Sequence, residues 1–390
     1  MQINDINIQG VAGIKQLELK FNSGLNLICG TNGIGKTTIL DCIATAFLAG
    51  DITLKKNAQS EVGKVIVKYN TDKVYSYDVK NFQPNPVNQD RYNGDMQLSK
   101  SILYFKPLRD IAYLSLNSIS KDPSSINHNP YTYPRSVING INATDIKNWF
   151  INRYMFHDKE GSMTPEQLIN FQLATECFSK MDSNINFKTV LSSSYEILLM
   201  TNKGDIYFEY LSSGYKSVIC ILFGIIKEIE YRFNGPFIVA NNFEGIILID
   251  EIDVHLHPHW QAKFVQVLKE IFPKAQIIAT THSPNVLQVL DREEIIPLEE
   301  DEDKGVRVRE LTLGNYGLHG WTLEEILTDV MGLETTSSKK YIDAITSFDQ
   351  ALDREDKEEI VTAYKRLDEM LHPNSNMRRL LKIQMAGLGE

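Results

Sequence analysis

Two spacings of apolar residues divide this chain. Near the N-terminus Ile14, Leu17, Leu19 and Phe21 interleave with Glu18 and Lys20, the period-two pattern of a half-buried strand. The short apolar run LNLICG follows, then a glycine-rich stretch, then TTILDCIATAFL, so the order reads strand, strand, loop, helix. KVIVKYN and KVYSYDV flank a polar turn near Thr71 and Asp72, which predicts a hairpin, and SILYF predicts a further strand. Asn, Pro and Ser dominate from Asn81 to Asn93 and from Lys121 to Asn142, where loops are expected.

Beyond these loops the period lengthens. Ile146, Trp149, Phe150, Arg153 and Tyr154 recur at helical spacing, and Thr164, Pro165 and Gln167 supply a cap, a first residue and a capping-box partner. The heptads of a long coiled-coil arm are missing. YEILLM and DIYFEYL make a second hairpin that delivers the chain to LSSGYKS. Val218–Ile229 then reads as a helix, GIILID as a buried strand, His259–Phe272 as a helix and QIIATT as another buried strand. Strand alternating with helix predicts an α/β fold with a mainly parallel sheet. In the tail, Leu323, Ile326, Leu327 and Val330 follow a Thr322/Glu325 capping box, and Ile360, Tyr364, Leu367 and Leu371 form another stripe. The expected organisation is a lobe over 1–110, a mainly helical insertion over 111–185, a second lobe over 186–311 and a helical C-terminal region over 312–390.

Composition narrows the class. The 390 residues include 40 Lys and Arg against 50 Asp and Glu, and a net charge of −10 argues against a chain that coats nucleic acid, while leaving room for a local basic groove. The cysteines at 29, 42, 177 and 220 lack metal-binding spacing, consistent with a reducing cytoplasm. The start MQINDINIQG has no secretory pattern, and the longest apolar run, Val218–Ile226, is too short to span a bilayer.

Chemistry concentrates in two motifs. GTNGIGKT matches the phosphate-binding loop between a strand and a helix, with Gly30, Thr31, Asn32, Gly33, Ile34, Gly35, Lys36, Thr37 and Thr38 as nucleotide-contacting positions. Backbone N–H groups would point at phosphate oxygens, Lys36 would neutralise the β- and γ-phosphates, and Thr37 would ligate Mg2+. GIILIDEID puts Asp250 and Glu251 at the end of a buried strand, the Walker B arrangement, with Asp250 on Mg2+ and Glu251 as general base. Three other stretches are ambiguous on their residues. LSSGYKS alone reads as a loop, and His282 in ATTHSP alone reads as a structural histidine. His255, His257 and His259 alternate as in a metal site, but no distant pair completes a ligand set.

Together INIQGVAGIKQLELKF, GTNGIGKTTILD, LSSGYKS, GIILIDEIDVHLHPHWQ, FPKAQIIATTHSP and YGLHGWTLEEIL resemble the bacterial AAA-type, SMC/RecF-like ATPases of Septu and retron anti-phage systems, the group that includes PtuA. The resemblance implies an ABC-type P-loop ATPase head using ATP and Mg2+. It makes Ser212, Ser213 and Gly214 a signature that reaches the γ-phosphate on a second subunit, His282 a switch histidine and Arg109 a residue of the lobe-connecting Q-loop. Ser213 and Tyr215 depart from the LSGGQ pattern, which weakens the inferred contact across the dimer. Implied partners are a second copy, in an ATP-dependent dimer or larger homo-oligomer, and an operon-encoded effector such as an HNH nuclease. DNA or retron nucleic acid is a further implied partner, and a membrane is not. A RecF-like repair ATPase and a nucleotide-sensing scaffold with little turnover share these motifs. An OLD-type nuclease needs a second catalytic domain after His282, where the sole acidic cluster, Glu299–Asp303, reads as a charged loop.

Overall fold

The computed structural model describes residues 1–48, 52–71, 73–83, 96–107, 109–110, 116–121 and 141–387. Most of the two Asn/Pro/Ser-rich loops, and Asp72 of the hairpin turn, lie outside these residues. The chain forms two compact units, Met1–Gly332 and Leu333–Glu390.

The first unit opens with β1 (Ile3–Val11) and β2 (Ile14–Lys20), then β3 (Leu25–Gly30), α1 (Lys36–Thr45), β4 (Gly63–Tyr69), β5 (Lys73–Val79) and β6 (Ile102–Phe105). Strands β2, β1, β4 and β5 pair in that order as an antiparallel sheet. Its alternation is the expected one: Ile14, Leu17 and Leu19 are buried while Glu18 and Lys20 face out.

The middle of the chain supplies β7 (Arg109–Asp110), β8 (Ile141–Asn142), α2 (Ala143–Phe156), α3 (Pro165–Met181), β9 (Ile185–Val190), β10 (Ile197–Thr201), β11 (Gly204–Tyr207) and α4 (Ser213–Arg232). The capping box at Thr164 and Gln167 forms as expected. Helix α4 is apolar on every side from Val218 to Ile226 because it is enclosed by α2, α3 and α5; Phe223 stacks on Phe150 at 4.8 Å. The stripe of α2 faces this core: Trp149 is fully buried, and Arg153 is buried against Glu230 of α4. Trp149 Nε1 also donates to Glu230 Oε1 at 3.1 Å, and Asn170 Nδ2 to Glu230 Oε2 at 3.3 Å. Tyr154 shares a hydrogen bond with Thr189 of β9.

The chain then runs through β12 (Ile246–Ile249), α5 (Pro258–Ile271), β13 (Gln276–Thr280), α6 (Pro284–Leu287), β14 (Ile295–Asp301), β15 (Gly305–Val308) and α7 (Leu323–Glu325). The central sheet has the order β15-β14-β3-β13-β12-β6, parallel throughout except for β15. This is the mainly parallel sheet that the alternation predicts. Glu299–Asp301 are part of β14 and not of a loop, because Arg307 of β15 and Arg309 just after it supply the opposite charge, Arg307 Nε lying 2.7 Å from Glu299 Oε1. The capping box at Thr322 and Glu325 also forms, but residues Ile326–Val330 widen from α to π-helix, with Met331 N bonding Ile326 O at 3.0 Å.

The second unit consists of α8 (Lys339–Asp353), α9 (Lys357–Met370) and α10 (Asn376–Gly387), closed around Ala344, Phe348, Ala351, Ile360, Leu367 and Leu381. Among the described residues no helix is long and apolar enough to cross a membrane.

Burial raises the Glu230 carboxyl above its usual range, and the Arg153 guanidinium is what opposes this. Glu230→Ala leaves that guanidinium buried without its carboxylate and is expected to cost about 3–5 kcal/mol. Denaturant unfolding followed by the tryptophans, all in the first unit, measures it.

Candidate functional site

Parallel strands bring the ends of β3, β12 and β13 to one edge of the sheet, and the candidate residues emerge there. Strand β3 ends at Gly30, whose φ of 140° and whose position against β14 exclude a side chain: a Cβ there would lie 2.5 Å from Leu298 O. The loop curls through Gly33 and Gly35 into α1. Lys36 is buried at the first turn, and its Nζ donates to Gly30 O at 3.0 Å and Thr31 O at 2.9 Å. Burial lowers its pKa, while the charges of Asp250, Asp253 and Glu251 act the other way.

Beyond β12, Asp250 is 1% exposed. Its N–H donates to Phe105 O on β6 at 2.9 Å. Thr37 Oγ1 donates to Oδ2 at 2.9 Å, and Thr280 Oγ1 to Oδ1 at 2.6 Å. The Thr280 hydroxyl also accepts from Glu251 N at 2.7 Å. One hydroxyl on β13 thereby holds both the Asp250 carboxylate and the Glu251 backbone. Glu251 holds a positive φ of 49°, uncommon for a side-chain-bearing residue, at the start of a tight turn closed by Val254 N on Glu251 O.

His282 follows β13, and its N–H donates to Asp253 Oδ1, which also accepts from Thr281 Oγ1. The imidazole is half-buried, and burial followed by the Lys36 charge pushes its pKa below the ordinary value, so the ring is neutral at neutral pH.

Ser212 caps α4, its Oγ accepting from Tyr215 N. Gly214 packs against the turn after Glu251: a Cβ on it would be 3.1 Å from His255 O. Tyr215, at the fifth position of the motif, points inward, its hydroxyl donating to Phe178 O at 2.7 Å and its ring edge-on to Trp260. His257 caps α5 through Nδ1, and His259 meets the Trp260 ring. Among the described residues no group of three or more His, Cys, Asp or Glu side chains suits a metal ion. Arg109 lies in β7, paired with Ile141.

The structure therefore joins Lys36, Thr37, Asp250, Glu251 and His282 at one edge, and adds Thr280 and Asp253, which the motifs did not single out. Their signal was present: a third acid in IDEID, and paired threonines ahead of His282. Thr280→Val keeps shape but strips partners from buried Asp250 and from Glu251 N. It is expected to lower stability by about 1–3 kcal/mol, read by denaturant unfolding.

The family described as "AAA domain, putative AbiEii toxin, Type IV TA system" matches residues 25–288. Septu protein PtuA of Bacillus thuringiensis is 46% identical over 99% of this chain and 98% of its own length. Retron Vc95 probable ATPase of Vibrio cholerae is 39% identical over 26% of this chain and 19% of its own length. Among solved structures, the SMC head domain bound to the C-winged helix domain of ScpA superposes with a TM-score of 0.46 at 14% identity, covering 80% of this chain and 99% of its own.

Proposed function

The chain belongs to the PtuA family of AAA-domain proteins, and on that premise we propose that it binds and hydrolyses ATP to control a partner effector in anti-phage defence. One observation carries the reading: Thr37, Asp250, Thr280 and Glu251 form a connected hydrogen-bond chain beside the Lys36 ammonium. Such a cluster has the parts that phosphoryl transfer to water requires.

In this proposal Gly30–Thr38 cradle the phosphates through backbone N–H groups and the end of α1. Lys36 exchanges its loop carbonyls for β- and γ-phosphate oxygens. Thr37 Oγ1 and the Asp250 carboxylate are hard oxygen donors already within 3.1 Å of each other, and this pair suits Mg2+. The ion, when bound, offsets charge on the phosphates. Glu251 accepts the proton of the attacking water, its backbone fixed by Thr280. His282, neutral and close to Lys36, is disposed to hydrogen-bond the γ-phosphate. Ser212, Ser213 and Gly214, at the N-terminus of α4, would meet a nucleotide on a second copy. Tyr215 is turned into the core, so the contact across the dimer would come from Ser212, Ser213 and Gly214 at the helix end without the fifth residue of the motif. The effector, for which an operon-encoded HNH nuclease is the candidate, would bind one nucleotide state better than the other, which suffices to couple the two.

Lys36→Ala is expected to weaken ATP binding about 100-fold or more without unfolding the chain, measured by equilibrium titration. Glu251→Gln should keep ATP bound and slow turnover by about 100-fold or more. Equal ATP affinity in the first protein, or equal turnover in the second, refutes the assignments. An Arg at position 212 should block ATP-dependent dimerisation while sparing binding, as read by mass photometry; unchanged nucleotide-linked assembly removes the signature from the account. Co-expressed with its operon neighbour, the Lys36→Ala protein should lose protection against phage, and full protection contradicts the defence role.

A further inference from the structure

The last turn of the first unit brings the chain back beside the phosphate loop. After the π-helical turn Ile326–Val330, Gly332 is the final residue of that unit, and Leu333 begins the next. Gly332 has a φ of 74°, and a methyl built on it would lie 2.8 Å from Arg309 Nη2 and 3.6 Å from Thr31 Cγ2. The backbone angle favours glycine here, and a Cβ would in addition press on the end of the Arg309 guanidinium.

Arg309 fixes this turn from the other side. Its Nη1 donates to Asp329 O at 2.8 Å, and its Nε lies 3.0 Å from Glu299 Oε2 on β14, the strand that closes over Gly30. It also contributes positive potential at Cys29, one residue before the phosphate loop. Thr31, the second residue of that loop, is held at its carbonyl by Lys36 Nζ, and its buried Oγ1 has no hydrogen-bond partner among the described residues. A buried hydroxyl without a partner is uncommon and costly, and a bound ligand or water is one way to satisfy it.

We propose that Arg309 and Gly332 form a joint through which a nucleotide held at Gly30–Thr38 acts on the closing turn of the first unit, Asp329–Gly332. The inference rests on the nucleotide reading above. A phosphate at the loop competes for Lys36 Nζ, and the Thr31 carbonyl then loses its partner. The Thr31 side chain is packed where Gly332 has no Cβ, so its movement acts on the turn that Arg309 pins at Asp329 O. The two arrangements differ in contacts around one φ-positive glycine, the kind of element that a ligand biases by differential binding.

Hydrogen–deuterium exchange of the full chain, with and without ATP and magnesium, tests the joint. Expected in the wild type are slowed amides at 30–38 and an exchange rate changed by about threefold or more at 328–340. In Gly332→Ala, and separately in Arg309→Gln, protection at 30–38 should persist while the response at 328–340 is lost. Protection at 30–38 with 328–340 unmoved in the wild type overturns the joint and leaves the nucleotide site standing. Persistence of the distal response in both variants also overturns it. No protection at either segment overturns the nucleotide reading, and the joint with it.

Discussion

A carboxylate buried at the end of a central strand must be satisfied by its neighbours, and the site is organised around that need. Asp250 is 1% exposed, so its charge depends on hydroxyls and cations brought from other elements. Thr37 comes from the start of α1, Thr280 from the end of β13, and Lys36 from one turn of the same helix. These residues meet because β3, β12 and β13 are parallel and in register: Ile249 pairs with Ala279, and Thr280 with Ile28. A slip of one residue would turn Asp250 or Thr280 to the opposite face of the sheet. Fold and chemistry are thus one constraint.

That constraint extends into the helical layer. Helix α4 carries the LSSGYKS turn at its start and Glu230 near its end, and it is packed against α2 and α3. Tyr215 ties the first turn to Phe178, while Gly214 lets it approach the turn that follows Glu251. The first turn of α4 is thereby held directly against the turn that follows Glu251.

What could be read in the sequence was what is contiguous. The phosphate loop is eight residues in a row between a strand and a helix, and Asp250 and Glu251 stand side by side after four apolar residues. Alternation around Ile14, Leu17 and Leu19 and the strand-helix order yielded strand β2 and the mainly parallel sheet in the same way, whereas β1, which joins β2 to the β4–β5 hairpin, was not singled out. Partners that are distant in sequence were not legible: Thr280 orients Glu251 from 29 residues away, and Arg309 reaches Asp329 O from 20. Glu299–Asp301 looked like a loop because a run of acids disfavours a strand, and only pairing with β15 reveals the compensating arginines. The π-helical turn after Thr322 escaped for a related reason, since apolar spacing does not distinguish it from an α-helix and its freed carbonyls are used by Arg309. Tyr215 is the clearest limit of motif matching, because it fills the motif's fifth position with a residue that faces the core.

The central claim is that the edge built on Asp250 holds a nucleotide that a second copy completes. It is tested most directly by a structure of the Glu251→Gln chain with ATP and magnesium. The account predicts γ-phosphate oxygens about 3 Å from Lys36 Nζ and from the Ser212 hydroxyl of a second copy, with the ion between Thr37 Oγ1 and the Asp250 carboxylate. Nucleotide bound elsewhere, or bound at this loop in a dimer whose Ser212 turns are remote from it, would contradict the account.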